Sequence, residues 1–138
     1  MKLAVDCRML GTGGIGTYIA ELIPLFLEKY TCLLIGRGED IAAYADNPHA
    51  ELCPCAVKAF SLRELTAFPS TITGRINACD VYYTPYCNIP SGIKVPVFST
   101  IHDVVQQEPE RRRHGFGFEW VVHGDRRWRQ RHDVARRR

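Results

Sequence analysis

Several features that would point to a membrane, secreted or zinc-binding protein are missing from this sequence. No apolar run is long enough to span a bilayer, and the first residues show no secretory pattern. The six cysteines form no C-x-x-C pair, and Cys53 and Cys55 lie too close together for half of a zinc site. We therefore expect a cytoplasmic protein with reduced, mostly buried thiols, and with neither a metal nor another cofactor.

Lysine is absent after Lys94, although arginine is abundant there. Up to Pro109 the chain carries eight basic and eleven acidic residues, whereas from Glu110 onward it carries ten arginines and four acids. The two parts therefore differ in both charge and composition. We predict one domain over residues 1–109 and an arginine-rich tail over residues 110–138.

The tail is open to more than one interpretation. Its apolar residues keep neither a helical nor a strand period, which predicts a disordered segment rather than a packed element. The abrupt change of composition favours the product of a shifted reading frame. Arginines interleaved with Trp120 and Trp128 would also suit an arm that binds nucleic acid or an anionic membrane. We favour the shifted frame over the binding arm, and so we do not expect nucleic acid as a partner.

The residues before the tail alternate between strand and helix patterns. Strands that alternate with helices at such spacings predict right-handed βαβ units and an open parallel sheet, an α/β fold of Rossmann-like type. Pro54 favours an edge position for the third strand. Ser61 and Glu64 form the pattern of a capping box, at the start of a helix that Pro69 interrupts. The predicted strands are 2–6, 31–36, 52–57, 80–83 and 97–101.

A glycine-rich loop precedes the most regular helical pattern. Residues 11–16 include four glycines, and the apolar residues that follow, up to Tyr30, repeat at the spacing of one buried helix face. Free backbone N–H groups at such a helix start attract anions, phosphate above all. A Walker A loop is excluded, because Thr17 occupies the position where that motif requires lysine.

The same glycines leave two further interpretations open. Gly11, Gly13 and Gly16 fit the G-x-G-x-x-G pattern, and Glu39 or Asp40 lies where a dinucleotide-binding fold has its ribose-binding acid. The loop after the first strand is longer than the tight turn of that pattern. Alternatively, the glycines only allow the helix and the strand to pack closely together.

Polar side chains follow the predicted strands at the edge where parallel sheets bind their ligands. Asp6 ends the first strand, Tyr83 and Tyr86 lie at and after the fourth, and His102 and Asp103 follow the fifth. An imidazole at this edge could contact a substrate oxygen while a carboxylate orients it. A strand-end histidine, a helix-capping aspartate and packed tyrosines would also explain these residues.

Four segments occur in a suggestive order: Asp6-x-Arg8, Gly13-Gly14-Ile15-Gly16-Thr17-Tyr18, Asp80-Val81-Tyr82-Tyr83-Thr84-Pro85 and Ile101-His102-Asp103-Val104-Val105. Together they resemble the amino-terminal half of the retaining GT-B glycosyltransferases, in particular glycosyltransferase family 4. The resemblance covers residues 1–105 and implies a Rossmann-like domain that faces a second such domain across a cleft.

The resemblance also implies a reaction. Members of the family transfer a glycosyl group from a nucleotide-diphosphate sugar to an acceptor hydroxyl with retention of configuration, and they need no obligatory metal. By this likeness the backbone amides of Gly13, Gly14 and Gly16 would contact the donor diphosphate. His102 would lie at the transferring sugar as a catalytic residue, with Asp103 beside it.

On the acceptor side, the resemblance points to Asp6, Tyr83 and Tyr86. The sequence departs from the family in two respects. It has no counterpart of the second domain, whose paired glutamates hold the nucleotide and sugar, and after the His-Asp motif it passes into the tail. We therefore expect a truncated half with an unpaired sheet edge, which has no transferase activity without a C-terminal half. Peripheral membrane association of the complete enzyme stays open.

Overall fold

A computed structural model describes residues 1–102 and the backbone of residues 119–123. This part of the chain forms an α/β domain with six strands in one sheet. The strands are β1 (Lys2–Asp6), β2 (Thr31–Gly36), β3 (Ala50–Pro54), β4 (Val81–Thr84), β5 (Val97–Ile101) and β6 (Glu119–His123). The helices are α1 (Gly13–Lys29), α2 (Gly38–Ile41), α3 (Leu62–Thr66) and α4 (Ser70–Asn77), and a short 3₁₀ turn (Ala42–Tyr44) follows α2.

The strand order in the sheet is β3-β2-β1-β4-β5-β6, and β1 to β5 are parallel. Val5 of β1 lies between Leu34 of β2 and Tyr83 of β4 in the register. The chain places β2 and β3 on one side of β1, and β4 and β5 on the other. The predicted open, parallel, Rossmann-like sheet is thus confirmed. The topological switch point, where such sheets bind ligands, lies between β1 and β4.

Two apolar layers cover the sheet, because successive residues of each strand point to opposite faces. Leu33 and Leu34 show this alternation: both are fully buried, but they belong to different layers. The layer on the α1 face includes Val5, Ile19, Ile23, Leu34 and Tyr83. The layer on the α4 face includes Ala4, Leu33, Ile72, Ile76 and Tyr82.

Four of the five predicted strands lie within one residue of their predicted positions, whereas the third, predicted over residues 52–57, is β3 at Ala50–Pro54. β3 ends at Pro54 and lies at the sheet edge, as predicted. The helix predicted from Ser61 onward is divided into α3 and α4 around Pro69, which has no N–H for a continuous helix. None of the helices in the described part of the chain combines the length and apolarity that a membrane span needs.

The structure differs from the sequence analysis at one place in the tail. The stretch Glu119–His123 is a strand, which pairs antiparallel with β5 so that Val121 lies opposite Ser99. A tryptophan and two valines in succession favour a strand, and the free edge of β5 offers it hydrogen-bonding groups. The β5 edge that we expected to be unpaired is therefore covered. The other tail residues, with Asp103 and the expectation of disorder, lie outside the described residues.

Candidate functional site

A buried ionic cluster lies beneath the carboxyl ends of β1 and β4, at the switch point. Arg8 donates from Nε to Asp6 Oδ1 at 2.9 Å and from Nη2 to Asp6 Oδ2 at 2.6 Å. The same Nη2 also donates to Glu64 Oε1 at 2.5 Å. The hydroxyls of Tyr82 and Tyr86 complete the cluster, at 2.9 Å from Asp6 and 2.7 Å from Glu64 respectively. The side chains of Arg8, Asp6 and Glu64 are almost fully buried.

The surroundings of Arg8, Tyr82 and Tyr86 keep all three of these hydrogen-bond donors protonated. Burial on its own would lower the pKa of Arg8, but the hydrogen bond and negative charge of Asp6 outweigh burial and raise that pKa. Burial, and next the charge of Asp6, raise the pKa of both Tyr82 and Tyr86 well above the usual range. The guanidinium therefore stays charged and both phenols stay protonated. Asp6 and Tyr86 thus lie in a closed hydrogen-bonded cluster, where they fix the end of β1 against α3.

Glu64 is the member of this cluster that the sequence analysis assigned to another role. The backbone N–H of Glu64 donates to Ser61 Oγ at 3.3 Å, which is one half of the predicted capping box. The Glu64 side chain points inward instead, where it accepts from Phe60 N at 3.0 Å and from Arg8. No local signal distinguishes this arrangement. Only the need of a buried arginine for a second acid would have suggested it.

The glycines of the loop have different structural roles. A Cβ at Gly16 would lie 2.4 Å from the Met9 carbonyl oxygen, so this position requires glycine for close packing. Gly13 has a φ of +55°, which also favours glycine. Gly13 and Gly14 are exposed, and a Cβ at Gly14 would meet no described atom within 4 Å. The loop therefore packs through Gly16 and presents backbone at Gly13 and Gly14.

His102 lies beside the helix that the glycine loop begins. It is exposed after β5, and its ring contacts the ring of Tyr18 edge-on, with 4.8 Å between the centroids and an angle of 85°. Tyr18 follows Gly16 by two residues on α1. The structure thus brings His102 and the glycine-loop helix together on one rim of the sheet.

Tyr83 lies in the core below that contact and not beside Asp6. Its hydroxyl is 2.8 Å from Thr100 Oγ1, and its ring packs against Phe26. Burial raises the pKa of Tyr83, so its hydroxyl remains protonated. Tyr83 is on the α1 face of the sheet and Tyr86 belongs to the cluster on the other face. The two predicted acceptor-side tyrosines are therefore not brought together.

Both acids that a dinucleotide site would use are paired with one arginine. Arg37 donates from Nε to Asp40 Oδ2 at 2.6 Å and from Nη2 to Asp40 Oδ1 at 3.1 Å. Its Nη1 also lies 3.5 Å from Glu39. Neither acid is therefore presented alone to a ribose. Within the described part of the chain, no group of three His, Cys, Asp or Glu residues is placed to hold a metal ion.

No protein-family model matches the sequence, and comparison with curated proteins and with solved structures gives no match. Only the residues and their geometry therefore bear on function.

Proposed function

We propose that the chain is the Rossmann-like, acceptor-side half of a retaining GT-B glycosyltransferase that uses a nucleotide-diphosphate sugar. The observation that supports this most is the ring contact between Tyr18 and His102. It joins the two motifs of the family resemblance, the glycine loop and the histidine after β5, at one rim of an open parallel sheet. Cytoplasmic location, with peripheral membrane association of the complete enzyme, belongs to the same proposal.

The glycine loop would bind the donor diphosphate through the start of α1. This helix has 17 residues and no acid in its first turn, so the positive end of its dipole is not opposed there. The exposed backbone of Gly13 and Gly14 would donate hydrogen bonds to phosphate oxygens. These donors would stabilise the charge that develops on the diphosphate as it leaves.

His102 would act at the sugar. In the transfer, the bond from the anomeric carbon to the diphosphate oxygen breaks, and a bond from that carbon to the acceptor oxygen forms on the same face of the ring. The proton of the acceptor hydroxyl passes to the departing diphosphate oxygen, so the products are the glycosylated acceptor and a nucleoside diphosphate. Packing against Tyr18 limits the orientations of the His102 ring. The imidazole can therefore hold a hydroxyl of the transferring sugar while this exchange takes place.

The proposal includes a second half of the enzyme, which supplies the paired glutamates that hold the nucleotide and sugar. This chain alone would then bind a sugar nucleotide weakly and release no nucleoside diphosphate from it. Of the other interpretations, dinucleotide binding is favoured less because Arg37 pairs with both Glu39 and Asp40. The tail residues that would contact nucleic acid lie largely outside the described residues.

Calorimetric titration of the full chain with UDP-glucose and GDP-mannose tests the proposal. We expect weak, saturable binding of at least one of them, and a loss of about threefold to tenfold in affinity for His102→Ala. The matched control is His49→Ala, since His49 is also exposed but follows the 3₁₀ turn at the other side of the sheet. Binding of neither compound, or equal affinity of wild type and His102→Ala, would contradict the proposed site. Release of nucleoside diphosphate from either sugar nucleotide by the pure chain would contradict the proposed need for a second half of the enzyme.

A further inference from the structure

A cleft of about 700 Å³ opens at the carboxyl ends of β1, β2 and β3. Met9 and Thr12 line it after β1, Arg37 after β2, and Val57 and Lys58 after β3. Its volume lies within the range of small-molecule sites, about 300–1,000 Å³. Ligands of open parallel sheets bind at this edge. His102 is not among the lining residues, since it follows β5, two strands beyond β1.

The lining of the cleft carries more positive than negative charge. Lys58 is exposed, and no acid of the described residues forms an ion pair with it. Arg37 is half exposed; it is paired with Asp40 through Nε and Nη2, and its Nη1 forms a longer ion pair with Glu39, at 3.5 Å. Glu39 is the acid of the lining. An anion in the cleft could therefore bind to the Lys58 ammonium and to Nη1 of Arg37.

Arg8 lies behind the same wall. Its one positive charge is paired with two carboxylates, Asp6 and Glu64, and its Nη1 is buried without a hydrogen-bond acceptor among the described residues. Arg8 is also one of the residues that line the cleft. A buried donor without an acceptor costs free energy, but Nη1 is closed to solvent and adds no donor to the surface of the cleft. The exposed cations of the lining are therefore Lys58 and Arg37.

The rest of the lining is mostly apolar. Met9, Pro54 and Val57 provide hydrocarbon surface beside the cations. From these features we infer that the cleft is a binding site for a small phosphate monoester with a compact organic body. The phosphate oxygens contact Lys58, in the loop after β3, and Arg37, in the loop after β2. Two cations stabilise the double negative charge of a phosphate monoester more than one does. The body packs on the apolar wall. This inference does not depend on the proposed glycosyltransferase function, which uses the other part of the rim.

Amide NMR titrations with two phosphate monoesters and their uncharged counterparts test this site. The probes are AMP with adenosine, and glucose 6-phosphate with glucose. We expect at least one monoester to bind, at least about tenfold more tightly than its uncharged counterpart, with shifts at Thr12, Arg37 and Lys58. Lys58→Gln should weaken that binding about threefold to tenfold. Lys29→Gln is the control, since Lys29 is an exposed lysine at the far end of α1.

Lys58→Gln removes no ion pair to the described residues, so the variant should keep the wild-type amide spectrum outside the cleft. The inference is overturned if neither monoester binds at about 10 mM, or if the uncharged compounds bind equally well. It is also overturned if Lys58→Gln binds as tightly as wild type. Shifts confined to Gly13, Gly14 and His102 would place the phosphate at the proposed diphosphate site and would likewise overturn it.

Discussion

Gly16 and Gly14 are two residues apart in α1, but only Gly16 touches the loop before the helix. We predict that Gly16→Ala destabilises the protein by about 1–3 kcal/mol, because its Cβ would lie 2.4 Å from a backbone oxygen that cannot move independently. Gly14→Ala meets no described atom and should leave the stability unchanged or raise it by up to about 1 kcal/mol. Urea unfolding measures both. Equal midpoints for the two variants would contradict the close packing at Gly16.

The six cysteines differ sharply in exposure, so they should differ in reactivity. All are free thiols, and only Cys87 is exposed. Burial raises the pKa of Cys32 to about 11 and raises that of Cys7 well above its usual value. Since the thiolate is the reactive form, buried thiols at pH 8 are both protonated and inaccessible. We predict that a disulfide reagent labels one thiol per native chain and six in urea, and none in native Cys87→Ser. Rapid labelling of a second native thiol would contradict the packing of the core.

Single residues show where sequence reasoning stops. The expectation that the thiols are mostly buried is confirmed, because small apolar residues in strands are commonly buried. The inward turn of Glu64 was not predicted, since it depends on Arg8, 56 residues away in the sequence. Local patterns describe the helix cap at Ser61 correctly, but not the side chain that a distant charge recruits.

At the scale of secondary-structure elements, Glu51 connects two strands and one helix through ion pairs. It lies on β3 and contacts Lys2 Nζ of β1 at 2.5 Å and Arg75 Nη2 of α4 at 2.6 Å. The hydrogen bond from Lys2, and then that from Arg75, lower the pKa of the Glu51 carboxyl. Its stabilisation is therefore present above the usual carboxyl pKa and is lost as the pH falls through the lowered value.

We predict that Glu51→Gln lowers the free energy of unfolding at pH 7 by no more than about 1 kcal/mol, because the pair is partly exposed. At pH 2.5 the difference between the variant and the wild type should be smaller than at pH 7, because protonation of Glu51 removes its charge. Glu28→Gln is the control, since Glu28 is exposed on α1 and has no ion pair with the described residues. Urea unfolding at the two pH values measures this. A Glu51→Gln effect as large at pH 2.5 as at pH 7 would show that packing, not charge, accounts for it.

Most elements could be predicted because their signals are local. The apolar runs that form β1, β2 and β5 are bounded by turn residues, and Pro54 and Pro69 fixed an edge and a helix break. β6 was not predicted, because its pairing depends on the free edge of β5 rather than on a repeating pattern of its own. Pairing between strands distant in the sequence is set by the whole sheet.

At the scale of the whole molecule, the alternation of strands and helices was sufficient to predict the parallel sheet. Ligands of such sheets bind at the carboxyl ends of the strands, so the sequence also indicated which rim of the sheet to inspect. Within that rim the sequence could not separate the residues that face solvent from those that the core encloses. Asp6 and Tyr86 are closed in a buried cluster and Tyr83 is packed under α1, whereas His102 is exposed beside Tyr18. Which face each side chain takes depends on the register of neighbouring strands.

The contact between the glycine-loop helix and His102 is central to the proposed function, and NMR of the full chain with UDP-glucose tests it most directly. The account predicts dose-dependent shifts of the Gly13 and Gly14 amides, the Tyr18 ring and the His102 imidazole. His102→Ala should reduce the shifts at the glycines. Shifts confined to Arg37 and Lys58, or no shifts at all, would contradict a diphosphate-sugar site at the start of α1.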